Sequence, residues 1–285
     1  MLSPITTRTG LRNAFSIDVE DYFHVEALSS VVDRSQWSQL EYRAEASTQR
    51  ILELLAAESV RATFFILGWV AKRSPQLVRA IHAGGHEVAC HGLTHQMVIR
   101  QSPELFRSET TEAKQLLEDA IGAPVRGYRA ATYSITRESL WALDILSELG
   151  FVYDSSIFPI RHDLYGIPDA PRFPYRPHGT GLLEVPVTTV EFLGQRLPCG
   201  GGGYFRLLPY GLFRRALERV NQRDGQPAVF YCHPWEIDPG QPRIGGLSLK
   251  SRFRHYTNLS KMEGRMRQLL RDFNWGRMDE VFVGA

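Results

Sequence analysis

The sequence predicts an α/β fold in which parallel strands curl into a closed or nearly closed barrel. Short apolar runs alternate with amphipathic helical segments along most of the 285 residues, which makes about seven strand–helix units. Helical connections between successive strands favour parallel pairing within one sheet. No linker, internal repeat or low-complexity segment interrupts this pattern, so we expect a single domain over residues 1–285.

The first strand is predicted over residues 13–18 (NAFSID), a short apolar run that ends in a carboxylate. Five more apolar runs have the length of strands: residues 62–67, 86–90, 125–130, 151–156 and 227–234. The first helix is predicted over residues 47–58, where aliphatic residues recur at helical spacing after a Ser-Thr start. Four further segments predict helices, three of them closed by glycine: residues 74–85, 102–122, 136–150 and 210–223.

The second half of the chain is less regular. Residues 157–181 are rich in Pro, Arg and Gly and predict a long excursion. Residues 181–193 predict a strand at an edge or with a bulge, because Pro186 has no N–H to donate. Four glycines at 200–203 predict a flexible turn, and residues 261–273 predict a basic helix in the tail.

Composition excludes several classes of protein. The net charge is +2 without a concentrated basic face, so nucleic acid is not the first expected partner. Nothing approaches the roughly 20 apolar residues of a membrane span. The first fifteen residues lack the apolar run of a signal peptide, so we expect a cytoplasmic protein. Cys90, Cys199 and Cys232 form no Cys-x-x-Cys pair, which favours free thiols in a reducing compartment.

Polar residues directly follow five of the predicted strands. In barrels of parallel strands the chemistry lies on the loops at the C-terminal strand ends. Here these ends are DVED (18–21), CHGLTH (90–95), RAATY (129–133), DSS (154–156) and CHPWE (232–236). If the five ends meet at one mouth, they form a site.

His91 and His95 are the first candidates for metal binding, because a turn or a helix aims residues four apart at one point. Two imidazoles and a carboxylate are a common ligand set for catalytic zinc, with a position left for water. Taken alone, the two histidines would equally suit a capping or surface role.

Asp18, Glu20 and Asp21 offer carboxylates for the same site. Three carboxylates after a buried strand repel one another unless a cation or an arginine lies nearby. Arg129, which also follows an apolar strand, would supply part of that charge. The simpler interpretations are a plain acidic strand end for the three carboxylates and a surface salt bridge for Arg129.

His233 follows an apolar strand and is either a buried core residue or a general acid. Asp154, at another strand end, would orient His233 and raise its pKa if the two meet. A turn at DSS would otherwise account for Asp154.

These five motifs together resemble the polysaccharide deacetylase family with the NodB homology domain, which is carbohydrate esterase family 4. SIDVED resembles its first motif, HGLTH its His-x3-His metal motif and RAATY its arginine motif. YDSS is similar to the fourth motif and FYCHP to the histidine motif near the end. The motifs occur in the family's order and are spread over most of residues 14–236, the expected core of the domain. The extension at about 237–285 resembles a subgroup found with bacterial exopolysaccharide and exosortase loci.

The resemblance implies a distorted (β/α)7-type barrel of the glycoside hydrolase/deacetylase type. It implies one divalent metal ion, usually zinc, although cobalt, nickel or iron also suit such ligands. It implies hydrolysis of N-acetyl groups on an amino-sugar oligo- or polysaccharide. A lipid-linked precursor on the cytoplasmic side would fit the absence of a signal peptide.

The resemblance also implies roles for the residues around the expected metal ion. His91 and His95 would be ligands, Asp18 the catalytic base, and Arg129 the residue that keeps the base ionised. The commonest family motif has two adjacent aspartates, whereas Val19 follows Asp18 here. Strand alternation places residues 18 and 20 on one side, so Glu20 is the expected third ligand. Asp21 stays an alternative if the strand ends early.

For protonation of the leaving group, the resemblance implies that His233 is the general acid and that Asp154 supports it. The arginine motif usually contains prolines, which Ala130 and Ala131 replace here. Tyr133 stays a candidate to donate a backbone N–H to the oxyanion of the transition state.

Three other functions stay open. A carbohydrate-binding relative without catalysis would lack the base or the acid. A glycosidase would pair Asp18 with Glu20 or Glu184 and would need no metal. A cyclic-amide hydrolase of the allantoinase-like branch would share the fold and act on small molecules.

Overall fold

The computed structural model describes residues 10–162 and 165–284 and confirms the alternating α/β organisation. The strands in chain order are β1 (Arg12–Val19), β2 (Thr63–Ile66), β3 (Glu87–Cys90), β4 (Gly127–Tyr128), β5 (Tyr153–Asp154), β6 (Leu183–Glu184), β7 (Thr189–Phe192), β8 (Gln195–Pro198), β9 (Val229–Cys232) and β10 (Asn274–Gly276). The helices are α1 (Ala44–Ala57), α2 (Gly68–Arg73), α3 (Pro75–Ala83), α4 (Pro103–Ile121), α5 (Trp141–Glu148), α6 (Gly202–Leu207), α7 (Tyr210–Gln222), α8 (Leu249–Tyr256) and α9 (Leu259–Asp272).

Seven strands pair in parallel in the order β9-β1-β2-β3-β4-β5-β6. In the described ranges no ladder joins β6 back to β9, so the sheet is a curled, open barrel. β10 runs parallel to the start of β1, and β7 and β8 form a separate antiparallel hairpin. The expected barrel type is therefore confirmed, with an opening between its first and last strands.

β1 pairs with β9 and β2 and is buried from Asn13 to Val19. Such a strand has both faces covered, which is why it reads as an apolar run rather than an alternating pattern. Its register places Asp18 beside Phe65 of β2 and Ile17 beside Cys232 of β9. The C-terminal ends of the parallel strands consequently lie at one edge.

The helix signals of the sequence are seen in the structure. At the start of α4, the Ser102 hydroxyl accepts the N–H of Leu105 at 3.2 Å, and Pro103 occupies the first turn. At its end, Gly122 has φ 67°, the left-handed conformation that glycine adopts without strain. The expected free thiols are also confirmed, since Cys90, Cys199 and Cys232 are buried and unpaired.

Two expectations need correction. The strand expected over 181–193 is two strands, β6 and β7, because Pro186 lies where pairing breaks. The stretch 200–203 is not a flexible turn, since residue 202 begins α6. A side-chain carbon on Gly202 would clash with the Glu236 carboxylate, so the glycine allows close packing there. The tail contains α8 and β10 besides the expected helix.

Some expectations concern residues outside the described ranges. The N-terminal stretch examined for a signal peptide includes residues 1–9, and the excursion at 157–181 includes residues 163–164. Among the residues that are described, no helix is both long and apolar enough to cross a membrane.

Candidate active site

The candidate site lies at the C-terminal edge of the sheet, where four strand ends meet. Asp18 is on β1, and His91, Arg129 and His233 directly follow β3, β4 and β9. Parallel pairing accounts for this convergence, because all C-terminal ends of such a sheet point the same way.

Glu20, His91 and His95 form a cluster with the composition of a metal site. One ligand atom from each residue lies within 4.8 Å of the others, and all three residues are buried. Glu20 Oε2 lies 2.7 Å from His95 Nε2, yet this oxygen has no hydrogen-bond partner among the described residues. A buried carboxylate oxygen without a donor favours a cation at this point.

His91 is arranged to present an unprotonated nitrogen. His91 Nδ1 donates to the Arg129 carbonyl at 2.8 Å, which leaves Nε2 free as a ligand. Burial lowers the pKa of His91 to about 4, so its ring is neutral. Positive φ angles at Gly92 (76°) and His95 (53°) turn the loop so that both rings approach. These residues fit a divalent ion such as zinc.

Electrostatics also favour Glu20 as the charged member of this cluster. Burial raises the pKa of Glu20, but His95, His233 and His91 together outweigh burial and hold that pKa well below its usual range. The Trp235 indole donates to the second oxygen of Glu20 at 3.2 Å.

Asp21 has a different role. Its carboxylate accepts three backbone N–H groups, from Tyr22 at 2.8 Å, Arg43 at 2.6 Å and Ala44 at 2.7 Å. The last two are at the start of α1, so Asp21 caps this helix from a distance. Its oxygens are occupied, and Glu20 is the carboxylate that faces the histidines.

Asp18 and Arg129 form a buried ion pair beside the cluster. Arg129 Nη1 lies 2.6 Å from Asp18 Oδ1 and also donates to Ser16 Oγ at 2.9 Å. The guanidinium lies over the Phe65 ring, 4.0 Å from its centroid. Burial lowers the pKa of Arg129, but Asp18, Tyr133 and Tyr153 together outweigh burial, and the net shift is upward.

His233 closes the site from the β9 side. Its Nε2 lies 3.6 Å from Glu20 Oε1 and 4.0 Å from Asp18 Oδ2. Its Nδ1 lies 3.1 Å from Glu236 Oε2, and its ring stacks on Trp235. Burial lowers the pKa of His233, but hydrogen bonding to Glu236 and the nearby carboxylates raise it to about 9.

The expected support of His233 by Asp154 is wrong. Asp154 Oδ1 accepts the Ser156 hydroxyl at 2.5 Å, and Ser156 Oγ in turn accepts the N–H of Ala130 at 2.8 Å. Asp154 therefore braces the loop that carries the arginine motif. Glu236 contacts His233 instead. The sequence analysis missed this residue, although its spacing of three residues after a histidine is a signal that could have found it.

The hydrogen bonding of Tyr133 also conflicts with its expected role as a backbone donor to the oxyanion. Its backbone N–H donates to the Ala130 carbonyl at 3.1 Å, so it is not free for an oxyanion. Positive φ angles at Thr132 (57°) and Tyr133 (52°) make this tight turn. The Tyr133 ring packs edge-on against Tyr231 with centroids 4.9 Å apart.

Two family models match successive parts of the chain. Residues 33–153 match the model described as polysaccharide deacetylase, and residues 155–283 match a domain of unknown function (DUF3473). The first half of the chain is therefore similar to polysaccharide deacetylases, and its C-terminal part is similar to this second domain.

Curated relatives match over part of their length. A chitooligosaccharide deacetylase from Bradyrhizobium sp. (strain ANU 289) is 32% identical over 100 residues, which are 35% of this chain and 43% of the relative. A putative polysaccharide deacetylase, YheN, from Bacillus subtilis (strain 168) is 30% identical over 150 residues, which are 50% of this chain and 52% of that one. The chain thus spans about half or less of these relatives.

Solved structures show the same fold. A putative polysaccharide deacetylase from Mycobacterium smegmatis has a TM-score of 0.64 at 20% identity, over 98% of this chain and 91% of that one. The Puue allantoinase has a TM-score of 0.60 at 18% identity, over 97% and 90% of the two chains. A carbohydrate esterase family 4 pseudoenzyme from Bacillus anthracis has a TM-score of 0.51 at 14% identity, over 96% and 66%.

Proposed function

We propose that the protein is a metal-dependent hydrolase that removes N-acetyl groups from amino sugars of a polysaccharide or its precursor. The observation that carries this proposal is the meeting of a possible ligand set with a base and an acid. Glu20, His91 and His95 lie within 4.8 Å of one another, beside Asp18 and His233. The family match and the names of the curated relatives support the choice of substrate.

A divalent ion held by Glu20, His91 and His95 would supply Lewis acidity toward water and toward the amide carbonyl. Zinc is the first expectation for two imidazoles and one carboxylate. The other groups of the reaction come from the chain itself.

Asp18 is the proposed base. Arg129 holds its Oδ1 at 2.6 Å, which leaves Oδ2 as the oxygen on the side of His233. As a water oxygen bonds to the acetyl carbon, the water proton passes to Asp18 Oδ2. General bases of this kind contribute about 10²–10⁴ in rate.

His233 is the proposed acid. When the C–N bond breaks, the amine nitrogen takes the proton from His233 Nε2, the nitrogen that faces Asp18 and Glu20. Without that proton the amine would leave as a strongly basic anion. The products are acetate and a free amino sugar.

The glycosidase alternative is disfavoured by the burial of Glu184. This carboxylate has no solvent exposure and accepts the N–H of Ile157 at 3.0 Å. The allantoinase-like alternative rests on fold similarity alone. Both the base and the acid are present, so a silent carbohydrate-binding protein is the weaker proposal.

The test is the substrate range of the purified protein. We expect acetate release from N-acetylated chitooligosaccharides, loss of this activity with a chelator, and its return with zinc. Turnover of allantoin without acetate release would favour the cyclic-amide alternative, and chelator-resistant cleavage of glycosidic bonds would favour the glycosidase. A lipid-linked precursor is the second substrate to assay, and cytoplasmic location stays a prediction.

A further inference from the structure

Glu236 is a buried carboxylate whose two oxygens have separate partners. Its Oε2 lies 3.1 Å from His233 Nδ1 and accepts the backbone N–H of His233 at 3.0 Å. Its Oε1 accepts Arg206 Nε at 2.7 Å. Glu236 therefore links the proposed acid to a buried arginine.

Arg206 is held in turn by the C-terminal extension. Its remaining N–H groups donate to the carbonyls of Arg254 at 3.0 Å, His255 at 3.2 Å and Thr257 at 2.6 Å. These carbonyls lie at the end of α8, where a helix favours positive charge. Within the described part of the chain, Glu236 is the carboxylate that pairs with Arg206.

The packing around this pair leaves Glu236 little freedom. Gly202 and Arg206 lie one turn apart on α6, so both face the same neighbour. A side-chain carbon at Gly202 would clash with the Glu236 carboxylate. The carboxylate is therefore confined between a glycine, an arginine and the histidine.

We propose that Glu236 and Arg206 are positioning residues for His233, an inference that rests on the proposed deacetylase function. Glu236 fixes the ring through Nδ1 so that Nε2 points toward Asp18 and Glu20, and Arg206 fixes Glu236. All three residues lie in residues 155–283, the part matched by the domain of unknown function. This region completes the active site, because it supplies the proton that the leaving amine takes.

Leaving-group chemistry separates positioning from a purely structural ion pair. An amide nitrogen needs a proton to leave, whereas the 4-nitrophenolate of 4-nitrophenyl acetate leaves without one. Misplacing His233 should slow amide hydrolysis far more than ester hydrolysis. Loss of structure alone would lower both rates alike.

The experiment compares both reactions in the full-length, zinc-loaded protein. For Glu236→Gln and Arg206→Met we expect the ratio of kcat for chitooligosaccharide to kcat for the ester to fall at least tenfold. His233→Ala should change the ratio in the same direction, and the zinc content should stay at the wild-type level. Arg172→Met is the matched control, since Arg172 is in a partly buried ion pair with Asp224. The ratio of the two kcat values should not change in this variant.

Gly202→Ala provides a second variant if Glu236→Gln or Arg206→Met fails to fold, because it displaces the carboxylate without removing it. An unchanged ratio in the folded variants would overturn the inference and leave Arg206–Glu236 as a structural pair. Absence of acetate release from zinc-loaded wild type would overturn the proposed function itself, and this inference with it.

Discussion

Arg129 shows how a single buried charge sets the arrangement of its neighbours. The side chain has no solvent exposure, so its charge must be matched by a partner within the fold. Asp18 supplies that partner at 2.6 Å, and Ser155 Oγ accepts a further N–H at 3.1 Å. The same contact that satisfies the arginine leaves one oxygen of Asp18 for its proposed role as base.

Replacing Asp18 by Asn should therefore affect both activity and stability. We expect kcat for acetate release to fall about 10²-fold or more because the base is lost. We also expect a loss of about 3 kcal/mol in the free energy of unfolding, since Arg129 stays buried without its counter-charge. Rate assays and urea unfolding measure the two effects.

Asp169→Asn is the control for this substitution. Asp169 pairs with Arg137 on the surface, where an ion pair contributes little. A variant of Asp18 with wild-type kcat would contradict its assignment as the base.

Sequence reasoning at the residue scale succeeded where spacing carries geometry. His91 and His95 are four apart, and Asp18 and Glu20 alternate along one strand, so their proximity could be anticipated. The Arg206–Glu236 contact joins residues 30 positions apart, and only the folded chain brings them together.

At the scale of elements, the two acidic residues that follow β1, Glu20 and Asp21, have different roles that their sequence alone does not reveal. Glu20 faces the histidines, whereas Asp21 accepts the N–H groups that begin α1. The end of the strand therefore also fixes the first helix against the sheet.

Asp21→Ala should test this division of roles. Loss of a helix cap with three buried N–H partners should lower the free energy of unfolding by about 2 kcal/mol or more. Zinc content should stay near the wild-type level. Asp33→Ala removes an exposed side chain that accepts the backbone N–H of Ser35, and it should lower the free energy of unfolding by less. Wild-type stability together with lost zinc would instead make Asp21 the ligand.

Composition misleads most where glycine and proline cluster. Four glycines suggested flexibility at 200–203, yet Gly202 is buried where a helix packs on the Glu236 turn. Apolar runs predicted strands reliably, but their lengths were overestimated, since β4, β5 and β6 have two paired residues each. The ends of those runs leave the ladder to form the site loops.

On the scale of the whole molecule, the C-terminal tail contacts both ends of the barrel. α8 contacts Arg206 near the site, whereas the backbone N–H groups of Met278 and Asp279 donate to Thr63 and Glu87 at the opposite end of the sheet. There Glu87 accepts Thr63 Oγ1 at 2.5 Å, Tyr153 OH at 2.9 Å and the Asp279 N–H at 3.2 Å. The tail thus closes the end of the barrel away from the site.

Glu87 should make stability depend on pH. Burial, followed by the charge of Asp279, raises its pKa to about 7 from 4.5. A carboxyl whose pKa is higher in the folded state contributes stability below its unfolded pKa and loses it as pH rises through the folded value. We therefore expect Glu87→Gln to gain stability relative to wild type, by up to about 3 kcal/mol, between pH 5 and pH 8.

Urea unfolding of both proteins at the two pH values measures this difference. Glu53→Gln, at an exposed position of α1, is the control and should show no such trend. An equal pH dependence in Glu87→Gln and wild type would show that Glu87 does not titrate in this range.

The proposed metal-dependent mechanism is tested by the metal content of wild type and His91→Ala, measured beside acetate release on the same samples. His82→Ala, at an exposed histidine of α3, is the control. We expect about one zinc per chain in wild type and in the control, and loss of both metal and activity in His91→Ala. Full metal content and activity in His91→Ala, or deacetylation by a metal-free wild type, would show that these residues do not hold a catalytic ion.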